Sequence, residues 1–126
     1  MNKSNPFRHL VFTAAVLAAS MFAWEAQATV LRVVVVDTHD VAAYAAEIRK
    51  GQAILKRMGS AAHLRVWRAR FAGDKTGSVV VAVEYPSMIV LAQDEAKAIA
   101  DPEYAAWLKG LDKLRKVVSD STYDEL

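Results

Sequence analysis

The run Val30-Leu-Arg-Val-Val-Val-Val36 permits few local structures. β-Branched side chains lose rotamer freedom in a helix and pack well on a pleated sheet, so the run reads as a strand. It is apolar on both alternating faces and therefore needs cover on both. Asp37-Thr38-His39-Asp40 ends it and offers capping side chains to the next element. From Val41 to Met58 the apolar residues Val41, Tyr44, Ala45, Ile48, Ile54, Leu55 and Met58 recur at helical spacing. Gly51 interrupts that helix at a cost of about 1 kcal/mol relative to Ala. Gly59 is placed to close it.

Two strands are expected next, over residues 63–71 and 78–85, joined by Ala72-Gly-Asp-Lys-Thr-Gly77. Pro86-Ser87 stops the second strand and caps a helix over 88–100. Asp101-Pro102-Glu103 restarts the chain as a further helix, with Asp at the cap and Pro in the first turn. This helix carries Tyr104, Trp107, Leu108, Leu111 and Leu114 on one stripe and ends in basic residues, as the helix dipole favours. A final strand is expected over 117–123. The order is βαββααβ, which right-handed crossovers turn into an α+β, ferredoxin-like layer: a four-stranded antiparallel sheet with helices on one face.

Pairing the hairpin across its loop puts Trp67, Ala69 and Phe71 on one expected face with Val79, Val81 and Val83. The other face then carries Leu64, Val66, Arg68 and Arg70 with Val80, Ala82 and Glu84. Both faces are largely apolar, whereas a half-exposed sheet alternates apolar and polar residues. One chain's helices cover one face only. A second copy is the simplest cover for the other, so a homodimer through the sheet is expected.

The element order, the phrase Val83-Glu-Tyr-Pro-Ser87 and the later Asp101-Pro-Glu-Tyr104 resemble the dimeric α+β barrel superfamily, which includes antibiotic biosynthesis monooxygenase-like domains. The similarity spans residues 30–126. It implies a homodimer whose two sheets meet, with a lumen in each subunit between sheet and helices. Some members of that superfamily use Trp with Asn and His for oxidation without a metal. Residues 29–126 contain no asparagine, so that triad has no counterpart here.

The N-terminal segment is read apart from the fold. A short basic stretch with Lys3 and Arg8 precedes the uncharged apolar run Leu10 to Trp24 and then Ala26-Gln-Ala28. This is the layout of a secretory signal peptide over 1–28, cleaved after Ala28. A spanning helix needs roughly 20 apolar residues, more than this run supplies. The remaining 98 residues suit one small domain, 29–126, in the periplasm or secreted. They hold 14 Lys plus Arg against 13 Asp plus Glu, with no basic patch expected, so neither nucleic acid nor, after cleavage, a membrane is an expected partner. The chain has no cysteine, which excludes disulfides, zinc–thiolate sites and thiol nucleophiles.

Arg68, Arg70 and Glu84 are charges in otherwise apolar strands, and a buried charge must be neutralised. One glutamate cannot match two arginines. Asp120 or Asp124, a partner chain or an anionic ligand would have to supply the rest. These three, with Trp67, are the candidate ligand-binding residues, and paired charges within a sheet are the competing structural account. His63 and Trp67 are the weak catalytic candidates, and Trp67 and Trp107 also suit a core. The histidine spacing matches no metal motif, and no loop cradles phosphate, so no metal or cofactor is expected. The resulting reading is an exported homodimer holding a small apolar or anionic molecule. A cofactor-free monooxygenase of an aromatic compound, using Trp67, His63 and Arg68, is the alternative; a ligand-free structural dimer is the third.

Overall fold

The computed structural model describes residues 29–126; the segment read as a signal peptide lies outside the described residues. The elements follow the expected order. Strand β1 (Val30–Asp37) leads to helix α1 (Val41–Arg57), then β2 (His63–Arg68), β3 (Val79–Tyr85), α2 (Met88–Ala100), α3 (Pro102–Leu111) and β4 (Lys116–Asp124). The sheet order is β2-β3-β1-β4, with every neighbouring pair antiparallel. It has the two split crossovers of a ferredoxin-like fold: α1 carries the chain past β3, and α2 with α3 carries it past β1.

Local chemistry sets the helix ends as the sequence suggested. The Asp40 carboxylate accepts from the Ala43 amide at 2.9 Å, the Ser87 hydroxyl from Val90 at 3.2 Å and the Asp101 carboxylate from Tyr104 at 2.9 Å. Helix α1 closes on Gly59 at φ 72°, where Ser60 N–H reaches Leu55 O and Gly59 N–H reaches Lys56 O. This is the left-handed closure for which glycine has no Cβ penalty. Asp101 also accepts two hydrogen bonds from Arg57, tying the end of α1 to the α2–α3 junction.

The register corrects the expected faces of the hairpin. Leu64 lies opposite Val83, Val66 opposite Val81 and Arg68 opposite Val79. Even positions of β2 therefore share a face with odd positions of β3. The inner face, under the helices, carries Leu64, Val66 and Arg68 with Val79, Val81 and Val83. The outer face carries His63, Arg65 and Trp67 with Val80, Ala82 and Glu84. A slip of one residue moves every side chain of a strand to the other face. Arg68 and Glu84 are thus on opposite sides of the sheet. Trp67, expected as a core residue, is 56% exposed on the outer face.

The core lies between the inner face and the helices. Val36, Val79, Val81, Tyr44, Ile48 and Leu111 form one buried cluster, and Val30, Leu55, Ala62, Tyr85 and Leu91 form a second. Among the described residues nothing covers the outer face in this way. Leu31 and Tyr123 are exposed there, and Val33, Val35, Val80 and Ala82 are partly exposed.

Gly51 now has a packing reason. It is buried in α1, and a Cβ built on it would overlap the Trp107 indole. Trp107 is held in place by its own N–H, which donates to Glu47 O at 2.9 Å. In an ordinary helix, Gly51→Ala would stabilise by about 1 kcal/mol. Here overpacking reverses the sign, and urea unfolding is expected to show a loss of about 1–3 kcal/mol. In a Trp107→Ala background the same substitution should become neutral or stabilising. A plain gain in the Trp107 protein would contradict the contact.

Candidate functional site

A cavity of about 300 Å³ lies between the inner face and the helices. Its walls are mainly apolar: Val34, Val81 and Val83 from the sheet, and Ile48, Leu55 and Leu108 from the helices. A set of polar side chains also lines it. The strands contribute Arg32, Tyr85 and Asp120, α2 contributes Glu95, α3 contributes Tyr104, and Arg115 comes from the α3–β4 connection.

Arg32 organises this set. Its Nε and Nη2 donate to the two carboxylate oxygens of Asp120 at 2.9 and 2.7 Å, and its Nη1 donates to Glu95. A bidentate guanidinium–carboxylate pair fixes orientation as well as charge. Donating these hydrogen bonds to Asp120 holds Arg32 more firmly protonated than usual, and the same contact holds the Asp120 carboxyl below the ordinary aspartate range. Two carboxylates on one guanidinium leave no positive charge free for an anion. Arg115 is likewise engaged, donating to Tyr44 Oη at 3.2 Å and to Asp112.

Asp120 and Val117 both line the cavity although they are three residues apart on one strand. In a regular strand they would face opposite ways. The register between β1 and β4 shifts between Val35 and Val36, where Ser119 lies opposite Val35 and Val117 opposite Val36. Val118 is the extra residue of this bulge, which re-aims the strand so that both neighbours point inward.

The two tyrosines are donors rather than bases. Burial, reinforced by Tyr104 and nearby carboxylates, pushes Tyr85 up to about 12. Burial also raises Tyr104. Both hydroxyls thus stay protonated at neutral pH. Tyr104 stacks at a tilt on Trp107, with ring centroids 5.3 Å apart, placing two aromatic rings along one wall.

None of the residues singled out from the sequence as site candidates lines this cavity. His63, Trp67 and Glu84 lie on the outer face, where Glu84 is 3.8 Å from Arg65. Arg68 is at the end of edge strand β2, and Arg70 is in the following loop. The structure therefore does not gather Arg68, Arg70 and Glu84. Asp120, suggested as their counter-charge, pairs with Arg32 instead. The residues that sequence reasoning missed are Arg32, Glu95, Tyr85, Tyr104 and Arg115. The available signal was Arg32 itself, the one charge inside the apolar run 30–36.

The Asp120 carboxyl is lowered on folding, so its contribution to stability is present above the unfolded-state value near 4 and is lost as pH falls through the folded one. Asp120→Asn is expected to cost at most about 1 kcal/mol at neutral pH, because the pair is partly exposed. That difference from wild type should close in acid. Urea midpoints measured across a pH series check this, and a difference unchanged at low pH would contradict it.

No protein-family model matches the chain, and no curated protein matches it. Solved structures do. SnoaB, a cofactor-independent oxygenase from Streptomyces nogalater, aligns with a TM-score of 0.60 at 14% identity, covering 79% of this chain and 94% of that one. A mutant of SnoaB aligns at 0.58 and 17% identity over 75% and 90% of the two chains. A conserved protein of unknown function from Bacteroides thetaiotaomicron, described as a possible oxidoreductase, aligns at 0.58 and 10% identity over 79% and 100%. The chain thus shares its fold with these structures, in the element order that the sequence led one to expect.

Proposed function

We propose that the protein is an exported homodimer that holds a small, uncharged and largely apolar molecule between sheet and helices. The observation that carries this reading is the cavity itself: about 300 Å³, apolar on most sides and edged by protonated tyrosines beside a saturated arginine. Its volume is at the lower end of small-molecule sites, which are characteristically apolar with a few convergent polar groups. An anionic ligand is disfavoured because both cavity arginines already face carboxylates. A neutral ring with one acceptor edge matches hydroxyl donors on an apolar, aromatic wall.

Dimerisation through the outer face belongs to the same reading. Leu31, Val33, Val35, Val80 and Ala82 form an apolar patch that the chain's own helices leave uncovered. A second copy would bury it by the commonest symmetry of soluble assemblies. Export supplies the remaining element, with residues 1–28 removed and the protein periplasmic or secreted.

Native mass spectrometry of protein recovered from the periplasm tests these elements separately. The expected result is a dimer of chains beginning at Thr29, carrying an adduct that Val83→Phe removes by filling the cavity. Val33→Asp should yield monomer. A ligand-free wild-type cavity that also fails to take up small aromatic compounds would overturn the binding reading, whatever the stoichiometry.

The fold shared with a cofactor-independent oxygenase favours a second reading, in which the cavity oxidises its occupant. Such a reaction needs a substrate acidic enough to give up a proton and electron-rich enough to reduce dioxygen itself. One oxygen atom then enters the product and the other leaves as water. Its residues would be those at the cavity, Tyr85, Tyr104 and Glu95, rather than His63 and Trp67 on the outer face. Oxygen uptake with an electron-rich phenol, abolished by Val83→Phe and kept in Trp67→Phe, would support it. Loss of uptake in Trp67→Phe alone would contradict that placement.

A further inference from the structure

Beyond the sheet, the β2–β3 connection stands out in charge and exposure. Residues 65–77 hold four basic side chains, Arg65, Arg68, Arg70 and Lys75, against the single acid Asp74. The other residues of 29–126 hold ten basic against twelve acidic. Of these four, Arg65 lies within β2, whereas Arg68, Arg70 and Lys75 stand at its end and on the projecting connection. Arg68 and Arg70 are exposed and form no ion pair among the described residues, while Arg65 meets Glu84 and Lys75 meets Asp74, each at 3.8 Å.

The projection is built by its own backbone. The ladder continues one residue past β2, with Ala69 N–H donating to Ser78 O at 2.9 Å and Gly77 N–H donating to Ala69 O at 2.8 Å. Beyond it, Ala72 N–H donates to the Thr76 hydroxyl at 3.1 Å, and a 3₁₀ turn at Gly73–Lys75 closes through Thr76 N–H to Gly73 O. Gly73 and Gly77 adopt φ of 58° and 93°, which glycine reaches without strain. These bonds hold the tip in shape without packing it on the body. Phe71, at its start, is fully exposed.

We propose that this hairpin tip docks the protein on an anionic lipid surface, with Phe71 entering the headgroup–acyl boundary and Arg68, Arg70 and Lys75 facing the lipid phosphates. An exposed aromatic ring beside cations on a self-supported turn has the two features that interfacial anchoring uses: apolar area to bury and positive charge for the surface potential. A second hairpin of the same chain fits poorly as occupant because it carries the same sign of charge. A nucleic acid fits the charge, but a lone ring at a turn gives it no stacking platform with a groove. The proposal departs from the sequence-based expectation of no membrane contact, and it does not depend on the cavity's occupant.

Co-sedimentation with vesicles tests it, using phosphatidylcholine alone and phosphatidylcholine mixed with phosphatidylglycerol. All proteins share one N-terminus, so differences between variants report on the hairpin. Wild type should bind the anionic vesicles selectively, and added salt should release it. Loss of each arginine in Arg68→Ser and Arg70→Ser should lower the partition coefficient about fivefold, on the order of 1 kcal/mol. Phe71→Ser should lower it about tenfold. Phe71→Trp should shift emission to the blue on anionic vesicles only. Absence of selective binding, variants that sediment like wild type, or an emission already blue without vesicles would overturn the proposal. Urea midpoints of the variants should match wild type, since all three side chains are exposed.

Discussion

Strand β1 is hydrogen-bonded on both sides, to β3 and to β4, so each of its side chains must point either into the helix layer or away from it. Much of the molecule depends on that choice. Val30, Arg32, Val34 and Val36 face inward, and the one charge among them cannot sit beneath helices without partners. Asp120 from β4 and Glu95 from α2 supply them. The polar set beside the cavity is therefore a consequence of a single arginine in the central strand. Leu31, Val33 and Val35 face the other way, and they leave the outer sheet surface apolar.

Devices on the surrounding elements give the cavity its shape. The bulge at Val118 turns both Val117 and Asp120 inward, where a regular strand would offer only one of them. The missing Cβ at Gly51 lets Trp107 lie against α1, and that ring, with Tyr104, forms an aromatic wall. Both features cost something locally, in ladder regularity and in helix propensity, and both are found where side chains meet the cavity. The three solved structures compared above are 10–17% identical to this chain, so their likeness speaks to the backbone framework alone.

Element order and helix ends were legible in the residues because short-range chemistry decides them. Asp40, Ser87, Asp101-Pro102 and Gly59 act where they stand in the sequence. The faces of the hairpin were not legible. They depend on the parity of the pairing, which is set by how Ala69 to Ser78 folds, and a 3₁₀ turn within that loop leaves no compositional trace. That one-residue difference carried Trp67 from an expected core to an exposed face and separated Arg68 from Glu84. The cavity's polar residues are drawn from three strands, two helices and a connection. No local spacing joins them, although Arg32 marked the place where they would have to meet.

The central proposal is that this sheet has one face closed by the chain's helices and the other closed by a second copy. The absence of native cysteine makes cross-linking a direct test. A single cysteine replacing Val33, at the middle of the outer face, should form an intermolecular disulfide rapidly under mild oxidation. One replacing Lys97, exposed on α2, should remain free. Equal cross-linking at both positions, or none at position 33, would contradict the account.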